Sequence, residues 1–194
     1  HQFVLAGKNE LVCAEYRSAV SSGIPVAKHF VTINMKCRPQ EGYTAKEAHP
    51  GIVLFDSLDK CIHDADNKSA KMQYYEYGDI RFDGTANCKG VRAKKVEVLP
   101  GDKDIAPDEW QLRAVRNRDH IFIRIESAEK NIAITLALPD STRFTYIGIT
   151  GEHCIISDIG IKHATTPIDD TFITRIADTI NYIDGPQGDI PSIQ

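Results

Sequence analysis

Between His120 and Lys162 the chain reads in steps of two. Ile121, Ile123 and Ile125 alternate with Phe122, Arg124 and Glu126, and Ile132, Ile134, Leu136 and Leu138 alternate with Ala133, Thr135 and Ala137. Such alternation, rich in β-branched residues, specifies strands with one face on a core. Short polar breaks at Glu129-Lys130-Asn131, Pro139-Asp140-Ser141 and Gly151-Glu152 separate the runs. Connections this short favour antiparallel neighbours, so the stretch is expected to form a meander.

The preceding chain extends the pattern. A short first strand is expected over Gln2 to Ala6, and Asn9 to Ser22 is read as one or two helical turns or an irregular crossover. A strand follows over His29 to Met35, and the continuous apolar run Gly51 to Phe55 suits a central strand buried on both faces. Met72 to Tyr77, Asp79 to Phe82 and Gly90 to Val98 are further strands, and Trp110 to Val115 is expected to pair with Ile121 to Ile125. The C-terminal part carries one amphipathic helix, Pro167 to Ile183. Thr166 is placed to cap it, and Phe172, Ile173, Ile176, Ile180 and Ile183 form its apolar stripe. About ten strands with one late helix imply an all-β chain, a two-sheet antiparallel β-sandwich of jelly-roll type. The expected organisation is a sandwich over 1–165, the helix packed on it over 166–184, and a Gly/Pro-rich linker over 185–194 leading to a following domain.

Composition narrows the function classes. A 194-residue chain with 42% hydrophobic residues can bury a full core, and a net charge of −4 lacks the basic stripe that nucleic acid requires. No apolar run approaches the ~20 residues of a membrane span. Five cysteines, an odd number at wide intervals, are expected to be free thiols, which suits a cytoplasmic location. Since the chain starts without Met, it is read as a piece of a longer protein.

Candidate chemistry is sparse. Cys61 to Asn67 concentrates ligand types, but Lys68 and Ser69 break a calcium-loop pattern and no zinc spacing occurs, so no metal and no cofactor are expected. His153 and Cys154 are adjacent on a strand and point to opposite faces, which separates base from thiol. No G-x-S-x-G, Walker A or G-x-G-x-x-G string is present. The aromatic run Tyr74, Tyr75 and Tyr77, with Gln73, Glu76 and Arg81 nearby, is the candidate ligand platform. Aromatic faces can stack on sugar rings while polar neighbours read hydroxyls.

The Trp110-led strand, its hairpin partner and the closing Ile155, Ile156, Asp158, Ile159 and Ile161 resemble the last third of concanavalin A-like and laminin-G-like jelly rolls. That resemblance implies a Trp that packs the core and a carbohydrate-binding or protein-binding role, with glycoside hydrolases among the members. The hydrolase string E-x-D-x-x-E, which sets two carboxylates roughly 5–5.5 Å apart about a glycosidic bond, is missing. The expectation is therefore a non-catalytic ligand-binding or sensory module, taking a carbohydrate or small polar ligand. It would belong to a larger, bacterial signalling protein with a covalently linked downstream domain. The alternatives are a glycoside hydrolase or lyase on the same fold, and a structural or oligomerisation domain.

Overall fold

The computed structural model describes residues 10–63 and 74–176. Among the described residues, twelve strands run in chain order: β1 Leu11–Cys13, β2 Ile24–Pro25, β3 Val31–Pro39, β4 His49–Ser57, β5 Tyr74–Arg81 and β6 Ala86–Asn87. β7 Ala93–Pro100, β8 Glu109–Asn117, β9 His120–Glu126, β10 Lys130–Ala137, β11 Tyr146–Glu152 and β12 Cys154–His163 follow. They form a seven-stranded sheet, β1-β12-β3-β8-β9-β10-β7, and a five-stranded sheet, β2-β11-β4-β5-β6. All neighbours are antiparallel. The chain is thus an all-β, two-sheet sandwich.

Alternation decides which side chains meet between the sheets. Val31, Ile33, Leu112, Ile121, Ile123, Ile125, Ile132 and Ile134 come from the larger sheet. Ile52, Leu54, Tyr77, Ile80, Ile147 and Ile149 come from the smaller one, and all are fully buried in one cluster. Each aliphatic side chain removed from water in this way contributes roughly 1.5–3 kcal/mol. β4 is buried on both faces, as its unbroken apolar run requires. Its Val53 and Phe55 point outward, where Val20 of the β1–β2 crossover covers them. Three of the four sheet edges are strands of only two or three residues, and the fourth, β7, carries Lys94, Lys95 and Glu97, which discourages edge-to-edge pairing.

Two expectations are corrected. The stretch from His120 to Lys162 is not a meander. β9 and β10 form a hairpin, but β11 lies in the five-stranded sheet and β12 in the seven-stranded one. A single residue, His153, carries the chain from β11 to β12 with φ of 54°, a left-handed turn that redirects the strand across the sandwich. Its amide donates to the Ala14 carbonyl at 3.1 Å and its carbonyl accepts from the Gln40 amide at 2.9 Å, which holds the corner.

The second correction concerns the C-terminal helix. Residues 164–176 contain no helix, and 177–183 lie outside the described residues. The segment runs over the outer face of the seven-stranded sheet. Its Ala164 and Ile168 amides donate to the Phe30 and Lys28 carbonyls at 2.8 and 2.9 Å. Asp169 makes a local turn, accepting from the Thr171 amide at 2.7 Å. Part of the expected stripe still buries. Ile173 and Ile176 are buried, Ile176 against Ala93 and Ala137, whereas Phe172 stays half exposed, edge-on to Phe30 and Phe122 with centroids 5.4 and 6.0 Å away. An isolated short helix is marginal in water, and four threonines between 165 and 174 weaken it further, so backbone pairing with residues 28–30 prevails.

Candidate functional site

Trp110 is the second residue of β8, opposite Met35 of β3. It is half-buried rather than enclosed, and it lies against Phe82, which follows β5, with ring centroids 5.4 Å apart and planes tilted by 50°. Two cavities share Trp110 and Ile105 as a wall. One, of 620 Å³, opens on the outer face of the seven-stranded sheet and is lined by Asn34, Lys36, Gln111 and Glu126 among others. The other, of 540 Å³, lies where the β3–β4, β7–β8 and β9–β10 loops converge, with Phe82, His49, Lys46, Lys103 and Lys130 in its lining. Asp102 accepts from the Asp104 amide at 2.9 Å and so shapes the loop that carries Ile105.

The outer-face cavity is built by strand register. Asn34, Gln111, Glu126 and Asn131 are successive partners across β3, β8, β9 and β10, so four polar side chains form one transverse row. Gln111 Nε2 donates to Asn34 Oδ1 at 3.0 Å, Arg124 Nη1 donates to Asn131 Oδ1 at 2.7 Å, and Arg113 pairs with Glu126 at 3.5 Å. Asp102, Glu109 and Asp158 add carboxylates to the same cavity. Asp158 sits in a β12 bulge with φ of 53° and meets Lys36 at 3.8 Å. Amides, carboxylates and a cation beside an indole can read a ligand rich in hydroxyl groups.

The second cavity is more apolar and carries more positive charge. Asp83 on its rim is held below the usual carboxylate range. Burial works against the charge, but hydrogen bonds from Thr85 overcome it, with Lys130 and His49 adding to the effect.

The aromatic run lies elsewhere and splits between two faces of β5. Tyr77 is fully buried in the core and donates to the Phe144 carbonyl at 2.8 Å. Tyr75 stands edge-on to it at 5.1 Å, donates to the Gly90 carbonyl at 2.8 Å and lies under the Arg143 guanidinium, 4.7 Å away. Tyr74 and Arg81 are on the outer face, in a chain of contacts that seals the β1–β2 crossover. Tyr74 donates to Glu76 at 2.7 Å, and Arg17 grips both oxygens of Glu76 at 2.7 Å. Tyr16 donates to Asp79 at 3.0 Å, and Arg81 lies 3.8 Å over the Tyr16 ring and pairs with Glu152 at 2.8 Å. Burial disfavours the Glu76 charge, yet the Arg17 and Tyr74 hydrogen bonds keep this carboxyl below its usual range, while burial and Asp79 push the Tyr16 phenol up. None of the four expected residues lines the cavities at Trp110. Tyr77 lines a 340 Å³ depression beside Gly78 and Gly90.

Other candidates separate as their strand positions dictate. Cys154 is buried in the core, while His153 stacks on Tyr43 at 4.0 Å with planes 7° apart. Cys61 and His63 belong to a turn closed by Asp59, which contacts His63 Nε2 at 2.9 Å. Residues 64–67 lie outside the described residues. Among the described residues, no group of three or more His, Cys, Asp or Glu side chains is placed to hold a metal ion, and no helix is long and apolar enough to cross a membrane. No family model matches the chain, and no curated protein or solved structure shows a significant match to it.

Proposed function

We propose that the chain is a non-catalytic ligand-binding module of the jelly-roll type, and that the two cavities meeting at Trp110 are its site. The ligand class is a hydroxyl-rich molecule, a carbohydrate. The observation that carries this reading is one cavity whose lining includes both the half-buried Trp110, whose indole turns inward onto Phe82 at the rim, and the outward Asn34–Gln111–Glu126 row of paired amides and a carboxylate. Tyr74, Tyr75, Tyr77 and Arg81 serve the sandwich in this reading, because their polar tips are taken by protein partners. The resemblance to concanavalin A-like and laminin-G-like domains supports the same class. In a larger bacterial signalling protein the module would act as a cytoplasmic sensor.

Calorimetric titration of the full chain with a panel of neutral and acidic oligosaccharides tests this. The reading expects saturable binding that Trp110→Ala and Gln111→Ala weaken at least tenfold and Tyr74→Phe leaves intact. Absence of binding across the panel, with a concentration-dependent dimer in solution, would favour a structural or oligomerisation role instead.

A glycoside hydrolase is the second reading, favoured by the four carboxylates, Asp102, Glu109, Glu126 and Asp158, that line one cavity. Glu126 is half-buried beside Arg113 and the other three are exposed, so none occupies the apolar pocket that keeps a general acid protonated. Release of reducing ends from any panel member, abolished by Glu126→Gln, would establish the hydrolase.

A further inference from the structure

Three of the five cysteines meet in the core. Cys13, Cys37 and Cys154 lie on β1, β3 and β12, the three strands at one edge of the seven-stranded sheet, and all three are buried. Cys13 and Cys154 are direct cross-strand partners, and Cys37 is the partner of Ile156, the next inward position along β12. The hydrogen bond from the His153 amide to the Ala14 carbonyl identifies that neighbouring pair as a hydrogen-bonded one. Cys13 and Cys154 are therefore a non-hydrogen-bonded pair, in which Cα atoms approach to about 4.5 Å. That separation lies within the roughly 4.4–6.8 Å range of disulfides. A side chain at Gly151 would place its Cβ 2.5 Å from Cys154 Sγ, so the glycine leaves the thiol its space.

We propose that Cys13 and Cys154 form a reversible thiol–disulfide site, with a peroxide as oxidant and Cys37 as the thiol that can replace Cys13. The Cys13 and Cys37 thiols both contact that of Cys154. These contacts, with burial, push Cys13 and Cys37 up, whereas the same contacts hold Cys154 below the usual thiol range against its own burial. Cys154 stands between the other two, as the direct partner of Cys13 and one inward position from the partner of Cys37, and that central place makes it the thiol to be oxidised first. Its thiolate attacks one peroxide oxygen, the O–O bond breaks, and hydroxide leaves as a sulfenic acid forms. The Cys13 sulfur then attacks the sulfenic sulfur, the S–O bond breaks, and the departing hydroxide takes the Cys13 proton. Two thiols lose two electrons and two protons, and the peroxide becomes two waters. Access comes from β1, a strand of three residues that among the described residues lies at the sheet edge, which is the kind of element that opens locally at low free energy. The bridge would staple β1 to β12.

Peptide mapping of the full chain after mild hydrogen peroxide, under non-reducing conditions, tests the proposal. The expected product is two hydrogens lighter, carries a Cys13–Cys154 cross-link that dithiothreitol reverses, and melts roughly 10 °C higher because the bridge closes a long loop. In Cys13→Ala the cross-link should move to Cys37–Cys154, and in Cys88→Ala it should stay at Cys13–Cys154. Five titratable thiols after treatment, or oxidation of Cys154 to a sulfinic acid without a cross-link, would overturn it.

Discussion

The indole of Trp110 lies on the ring of Phe82 at 5.4 Å, so the chain's single tryptophan bridges the two sheets at the rim where both cavities open. One side chain thereby joins the packing of the sandwich to the surface offered to a ligand.

Because Trp110 is half-buried, Trp110→Ala is expected to cost roughly 2 kcal/mol, less than the ~3–5 kcal/mol of a tryptophan enclosed in a core. Urea denaturation measures this. A loss above 4 kcal/mol would mean that the residue is a core anchor alone.

Tyr77 should behave in the opposite way. It is fully enclosed and its hydroxyl is bonded to the Phe144 carbonyl. Tyr77→Phe is expected to cost about 1 kcal/mol, and Tyr77→Ala about 4 kcal/mol. Equal stabilities of the two variants would show that the ring contributes little to the core.

Asp119 joins the sandwich to the docked C-terminal segment. It contacts His120 Nδ1 at 3.0 Å and Arg175 at 3.0 Å, and Arg92 completes the cluster. Burial raises its pKa, but the Arg175 and His120 interactions outweigh that effect and bring it down to about 2. The folded value lies below the unfolded one, so this stabilisation is complete above about pH 4 and is lost as the pH falls toward 2. Allowing for solvent around Arg175, it amounts to roughly 1–2 kcal/mol. Asp119→Asn should be less stable than the parent near neutral pH, and the two should converge near pH 2. A constant difference across that range would contradict the assignment.

Residues 164–176 cover apolar surface on β9 and β10. The Ile176 amide donates to His120 Nε2 at 3.2 Å, and Phe172 covers Phe122. Deletion of residues 167–194 should lower the melting temperature by several degrees and promote aggregation. Differential scanning calorimetry and light scattering would reveal either effect. An unchanged, monomeric truncated chain would show that the segment is dispensable to the sandwich.

Much of the fold was legible because alternation is a local signal. Ile121 to Ile125, Ile132 to Leu136 and the doubly buried Ile52 to Phe55 each declare their faces without reference to partners. What the local pattern does not carry is sheet identity. Gly151-Glu152-His153 looks like a hairpin turn, yet it crosses between sheets because His153 adopts a left-handed backbone. β5 hides a similar irregularity. Its register shifts opposite Leu54 and Phe55, and Gly78 has φ of 154° with Asn87 O only 2.4 Å from where a Cβ would stand. The two short strands expected around Gly78 are therefore one bulged strand. The row of Asn34, Gln111 and Glu126 was visible only as outward positions on three separate strands, and it becomes a site once register aligns them. Tyr74, Tyr75 and Tyr77 form a cluster in sequence, but strand geometry divides them between two faces.

The most direct test of the account uses Trp110 itself, since no second tryptophan contributes to the emission. Titrating the full chain with the tightest-binding oligosaccharide of the panel should shift or quench that emission saturably, with the same midpoint as the calorimetric heat. Gln111→Ala should move both midpoints together. Saturable heat with emission unchanged throughout would place the ligand away from Trp110 and contradict the assignment of the site.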